Sequence, residues 1–179
     1  FRNKSGNSDQ DYIANGLSSE LRTKLARNET LLVVSRSSSE AVAKDTPGPK
    51  DVAKRLSVAH VLDGFMERTG DQLSITVELS DGKTGFTTWT ETYTHAEVDA
   101  LNIHHQIAEV VTQKISGSER NIEFNPKTGE TQNAVAFNEY LKGSALFRAN
   151  TGKSSNLEAL DHLDRAIKID PKFGAALAV

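Results

Sequence analysis

Side chains with reactive or ligating potential cluster at a few points: the adjacent pair His104 and His105, the run Asp161, His162 and Asp164, the serines Ser35 and Ser37 to Ser39 around Arg36, and the single tryptophan, Trp89. Two imidazoles are metal ligands by type. Adjacent residues on a helix face different directions, however, and this pair lacks the i, i+4 spacing that brings two histidines to one ion. His104 falls three residues from Leu101 and four from Ala108, so a packed histidine on an apolar stripe is the expectation. Asp161, His162 and Asp164 are expected on a solvated helix face. The serines could cradle an anion, yet hydroxyls at the end of a buried strand are needed by the local backbone. Trp89 is expected in a core before it is expected as a ligand platform. No paired carboxylates, catalytic triad or glycine-rich phosphate loop emerges. No residue is therefore assigned a catalytic, cofactor-binding or metal-ligating role.

The rest of the composition narrows the classes. The chain has 179 residues, 37% hydrophobic and 25% charged, with zero cysteines. Disulfides, thiolate metal sites and cysteine nucleophiles are thereby excluded together. A net charge of -3 and a pI near 6.0 argue against a nucleic-acid partner, which needs clustered Lys and Arg. No run approaches the ~18 apolar residues of a membrane span, so direct membrane insertion is not expected of this stretch. The one methionine is Met66 and the chain opens abruptly at Phe1, which suggests an excised piece of a longer protein.

Periodicity supplies the elements that must position these side chains. Ile13, Leu17, Leu21 and Leu25 recur every fourth residue, the stripe of an amphipathic helix. Gly16 within it implies a break or a close backbone approach. The continuous run Leu31 to Ser35 predicts a strand buried on both faces, followed by a serine-rich loop. The Pro-Gly-Pro core near Pro49 predicts a loop, and Asp51 to Ser57 a short helix burying Val52 and Leu56. Leu73, Ile75, Val77 and Leu79 alternate with polar residues as in a half-buried antiparallel strand. Turns at Gly70-Asp71 and Asp81 to Gly85 join it to strands beginning at His60 and Thr87. Ala96 to Ile115 returns to helical spacing, with Leu101, Ala108, Val111 and Ile115 as its stripe and Ile103 and Ile107 flanking it. Residues 117–132 are polar and predict a linker. Beyond it only helices are expected: Ala159, Leu163 and Ala166 precede Pro171, and Leu141 and Gly143 lie upstream, at the spacing of a tetratricopeptide (TPR) repeat. Thr151 to Ser155 suggests a short insertion between the two helices.

The order of these motifs resembles a known bacterial family, the TolB amino-terminal-like domain that precedes TPR repeats in class III adenylate cyclase-like proteins and CadC-like transcription regulators. Tyr12 to Leu21 follows its Tyr-Phe-Ala-Asp-Gly-Leu-Thr-Glu-Glu-Leu pattern with Asn15 in place of the aspartate. Val61 to Gly64 follows its Val-Leu-Glu-Gly segment, and Thr88 to Tyr93 its Leu-Trp-x-x-x-Tyr segment with threonine in place of leucine. The resemblance implies an α/β unit, a mixed sheet with helices packed on it as in TolB amino-terminal and anticodon-binding domains, over residues 1–116. A linker at 117–132 and an incomplete all-α TPR-like segment at 133–179 would follow. It implies a non-catalytic regulatory or signal-relay module of a larger signalling protein, with a protein partner on the TPR-like helices and a homodimer as a further possibility. The rival readings are a cyclase fragment that contributes to nucleotide turnover and a pure TPR scaffold. The module would lie outside the cytoplasm if a membrane span precedes it, and otherwise inside.

Overall fold

Alternation of apolar and polar residues builds a meander. The computed structural model describes residues 1–45, 48–70, 72–96, 100–117 and 129–179. Strands β1 (Arg2–Asn3), β2 (His60–Thr69), β3 (Gln72–Asp81) and β4 (Thr87–Ala96) lie in that order across one sheet. β2, β3 and β4 are antiparallel neighbours, with Met66 opposite Ile75 and Leu79 opposite Trp89, while β1 runs parallel to β2. The sheet is therefore mixed. Leu73, Ile75, Val77 and Leu79 are all buried, on the face shared with Met66 and Tyr93. The opposite face carries a hydroxyl ladder, Ser74 to Thr94 at 3.1 Å and Thr76 to Thr92 at 2.9 Å. Asp81 organises the β3–β4 turn by accepting from the backbone N–H groups of Lys83 and Thr84 and from the Thr84 hydroxyl. Gly85 closes that turn with a φ of +80°, a conformation glycine adopts without penalty.

Helices α1 (Asp11–Ala26) and α4 (Ala100–Ser116) cover the apolar face. Ile13, Leu17, Leu21 and Leu25 of α1 join Ile103, Ile107, Ala108 and Val111 of α4 and the sheet residues in one core. The two isoleucines expected to flank the α4 stripe are at its centre. Two short helices, α2 (Arg36–Ala43) and α3 (Pro49–Leu56), connect α1 to β2. Pro49 starts α3 at the first helical position, where its missing N–H costs nothing. Ala53 is its buried residue, and Val52 and Leu56 are half-buried.

The stretch Leu31 to Ser35 is a correction. It forms no strand, and Leu32 is fully exposed. A strand needs a neighbour for its backbone groups, and among the described residues this run pairs with none of the four strands. Only Leu31 turns back onto the core. The serines after it belong to α2 rather than a loop: the Ser35 side chain accepts from the Ser38 N–H as its N-cap, and the Ser39 hydroxyl donates to the Ser35 and Arg36 carbonyls.

Helices α5 (Ala134–Ala149) and α6 (Lys153–Ile169) form an antiparallel pair, and the four-residue α7 (Gly174–Leu177) follows. Asn133 caps α5 by accepting from the Val135 and Ala136 N–H groups. The α5–α6 connection is Asn150 to Gly152, so Ser154 and Ser155 are helical rather than inserted. A Cβ at Gly143 would stand 2.9 Å from the Ala159 carbonyl oxygen and 2.8 Å from Leu163 Cγ, so glycine sets how closely the two helices approach. The expectations for Asp71, for 97–99, for 118–128 and for the Thr46-Pro47 part of the loop lie outside the described residues, as does the side chain of Leu101.

Alanine in place of glycine gains about 1 kcal/mol of helix propensity, but the forced shift in a packed contact costs about 1–3 kcal/mol. Gly143→Ala should therefore lower stability by about 1 kcal/mol net, read as a lower urea midpoint with unchanged slope. Trp89 is half-buried against the core. Trp89→Ala should cost about 2–3 kcal/mol, below the ~3–5 kcal/mol of a fully buried aromatic, whereas a surface platform would leave the midpoint unchanged.

Candidate functional site

Helix α1 carries two parallel rows. Ile13, Leu17, Leu21 and Leu25 face the α/β core, and one position earlier Tyr12, Gly16, Glu20 and Lys24 face the helical segment. Side chains four apart on a helix stand one above another, so each row is a continuous edge. Tyr12 Oη donates to Asn138 Oδ1 at 3.1 Å. Gly16 leaves room for Leu141, whose Cδ2 would sit 2.6 Å from an added Cβ. Close approach, and not a helix break, is thus the reason for this glycine. Tyr140 Oη donates to Glu20 Oε1 at 2.8 Å. At the end of the row, Lys24 and Arg27 both bond Glu130, Lys24 Nζ at 3.3 Å from Oε2 and Arg27 Nη1 to Oε1.

These contacts surround a cleft of about 230 Å³ where α1, α4, α7 and residues 129–131 meet. Its basic wall is Lys24, Arg27, His104 and His105; its acids are Glu20 and Glu130; its apolar floor is Phe137 and Phe173. Lys24 is almost fully buried, with a side chain 5% exposed, and its ammonium donates to His105 Nδ1 at 2.6 Å. His104 stacks on Phe137 with ring centroids 5.1 Å apart, the packed position expected of it. Both imidazoles, 4.2 Å apart, line this cleft although the residues are adjacent.

The cleft is electrostatically strained. Burial lowers the Lys24 pKa, with Glu130 opposing. Burial, then the neighbouring Lys24, lowers that of His105, which favours the neutral ring that accepts the lysine proton donor. Burial alone would raise Glu130, but Lys24 and Arg27 outweigh it and hold the carboxyl below its ordinary value. Burial raises Glu20 despite the Tyr140 hydrogen bond. The arrangement is a two-cation fork that binds a carboxylate, here one from the chain itself.

The remaining sequence candidates lie elsewhere. Asp161 and Asp164 are exposed, and Asp161 pairs with Arg165 at 2.6 Å. His162 is not solvated as expected: its Nδ1 is 2.8 Å from Glu139 Oε2 across the α5–α6 contact. The serines serve the α2 N-terminus, far from the cleft in function. Nothing in the sequence pattern singled out Lys24, Arg27, Glu20, Glu130 or Tyr140 as site residues. The available signal was the four-residue spacing of Tyr12, Gly16, Glu20 and Lys24, where a glycine interrupts larger side chains on one edge. Among the described residues no cluster of three or more potential metal ligands occurs, and no helix is long and apolar enough to cross a membrane.

No family model matches the chain. It is 28% identical over 184 residues to a protein named "Putative adenylate cyclase 3" from Rhizobium meliloti, a match that covers 99% of this chain and 30% of that protein. The chain thus spans less than a third of the length of this relative. Among solved structures, the LpoB C-terminal domain from Salmonella enterica aligns with a TM-score of 0.42 at 16% identity, over 53% of this chain and 75% of that one. Lipoprotein GNA1162 from Neisseria meningitidis aligns with a TM-score of 0.43 at 14% identity, over 65% and 94%.

The cleft makes stability depend on pH. A histidine whose folded pKa lies below its ordinary 6.5 leaves the unfolded chain binding more protons, so stability falls as pH drops below that value. The depressed Glu130 adds a second loss as pH falls from its ordinary 4.5, while the raised Glu20 works in the opposite sense as it takes up its proton. The urea midpoint should therefore fall between about pH 7.5 and about pH 5.5. His105→Gln, which keeps an acceptor for Lys24, should flatten that fall; an unchanged slope would show that another group governs it.

Proposed function

We propose that this chain is a non-catalytic regulatory and protein-interaction module of a larger, adenylate cyclase-like signalling protein. In its finer form the reading is a TolB amino-terminal-like unit followed by a TPR-like helix pair, with a linker between them. The observation that carries it is the double use of α1: one helix supplies both the α/β core and the row of contacts to α5 and Glu130. A displacement of the helical segment is then felt directly by the helix that covers the sheet. The relative named as an adenylate cyclase, of which this chain matches 30%, supports the output chemistry lying outside these residues. Phe147, Leu157 and Leu160, each about half-exposed on the α5–α6 pair, support a protein partner there, since apolar side chains grouped on a surface mark interaction sites.

Alone, the chain incubated with ATP and either magnesium or manganese should form no cyclic AMP above a heat-killed control; reproducible turnover would refute the non-catalytic reading. In a longer protein that joins it to a cyclase domain, Tyr140→Phe with Glu130→Gln should change the cyclase output, because two of the polar ties that hold α1 to the segment beyond it are weakened. Output that is indifferent both to these changes and to deletion of the module would refute regulation.

A further inference from the structure

Glu130 sits in the cleft as a bound carboxylate would. One oxygen faces Arg27 Nη1 and the other lies 3.3 Å from Lys24 Nζ and 4.0 Å from His105 Nε2. The carboxylate arrives on the segment before α5, outside any helix, whereas its partners stand on α1 and α4. Glu20, the other acid, is committed to Tyr140. Beyond the fork, the 230 Å³ cleft continues against Phe137 and Phe173 and the small residues Gly129, Gly174 and Ala175. That volume is below the ~300–1,000 Å³ typical of pockets for drug-sized ligands.

We propose that this cleft binds a small organic carboxylate with a flat or apolar body, its carboxylate taking the place of Glu130 between Lys24 and Arg27 and its body lying on Phe137 and Phe173. The fork offers one donor to each oxygen of a carboxylate, the geometry that charge-assisted pairs favour. The floor removes apolar surface from water, beside the stacked His104–Phe137 pair. Glu130 is then a tethered competitor. A short tether holds its group at an effective concentration of the order of millimolar, so a free carboxylate binds the natural chain weakly and binds strongly once Glu130 is withdrawn. The identification of this ligand as an effector rests on the regulatory reading above; the binding itself does not.

Benzoate is a suitable probe, titrated calorimetrically into the complete chain with sodium chloride at matched ionic strength as control. Glu130→Gln, which keeps the shape of the side chain and removes its charge, should bind benzoate about tenfold more tightly than the natural chain, as release from a tethered competitor requires. Adding Arg27→Gln to it should reverse most of that gain. Saturation of the natural chain should shift the amide resonances of residues 129–131 and spare the Ser74–Thr94 face of the sheet. A folded Glu130→Gln chain with no saturable benzoate binding overturns the proposal. If that variant fails to fold, benzoate shifts in the natural chain that miss residues 129–131 overturn it equally. Inorganic phosphate binding as tightly as benzoate, unaffected by Phe173→Ala, overturns the carboxylate assignment. Absent binding would leave the regulatory role standing, whereas binding without any effect on the output of a longer protein would remove only the ligand's role as an effector and keep the site.

Discussion

Helix α1 must satisfy two neighbours at once, and the structure depends on how it does so. Its Ile13 row is buried in the α/β core, and the adjacent Tyr12 row is committed to the helical segment. An amphipathic helix with one apolar stripe leaves its other face to water; here a second edge of mixed chemistry is also covered. Covering it brings the Lys24 ammonium out of solvent, which is costly unless the charge is paired and hydrogen-bonded. Glu130 and His105 meet that requirement. A buried ion pair is weak evidence of net stabilisation against an apolar replacement, but removal of one partner is expensive. The fork therefore acts chiefly as a constraint on where residues 129–131 can lie.

The other features follow from this junction. Gly16 permits the helix approach that brings Tyr140 to Glu20, and Gly143 lets α5 carry α6 close behind it. α7 reaches the cleft through Gly174 and Ala175, and its N-cap residue Phe173 meets Tyr140 edge to face at 5.0 Å. The cleft is thus built from residues of both the α/β part and the helical part, and neither could form it alone. That placement, at the meeting of two structural units, is where ligand sites are commonly found.

The α/β architecture was legible because its signals are local. The period of four in Ile13 to Leu25 and the alternation in Leu73 to Leu79 each reflect one buried face. The run Leu31 to Ser35 misled for the complementary reason: continuous apolar residues suit a strand with two covered faces, yet among the described residues no strand pairs with it. The cleft was illegible because its pairs are remote in sequence, 106 positions apart for Lys24 and Glu130 and 120 for Glu20 and Tyr140. Glu130 lies in a stretch whose polarity suggested only a linker. His105 was set aside by the argument that helical neighbours diverge, which holds for one shared metal ion and does not prevent two rings from lining one cavity.

The central claim is that α1 fuses the α/β core and the helical segment into one cooperative unit. Native-state hydrogen exchange under increasing urea measures this residue by residue. The slowest amides of α5, between Ala136 and Leu141, should converge with those of Ile75 and Val77 on a single unfolding isotherm. If the α5 and α6 amides open well below that isotherm while the β3 amides stay protected, the two parts are independent and the account of α1 as a shared helix is wrong.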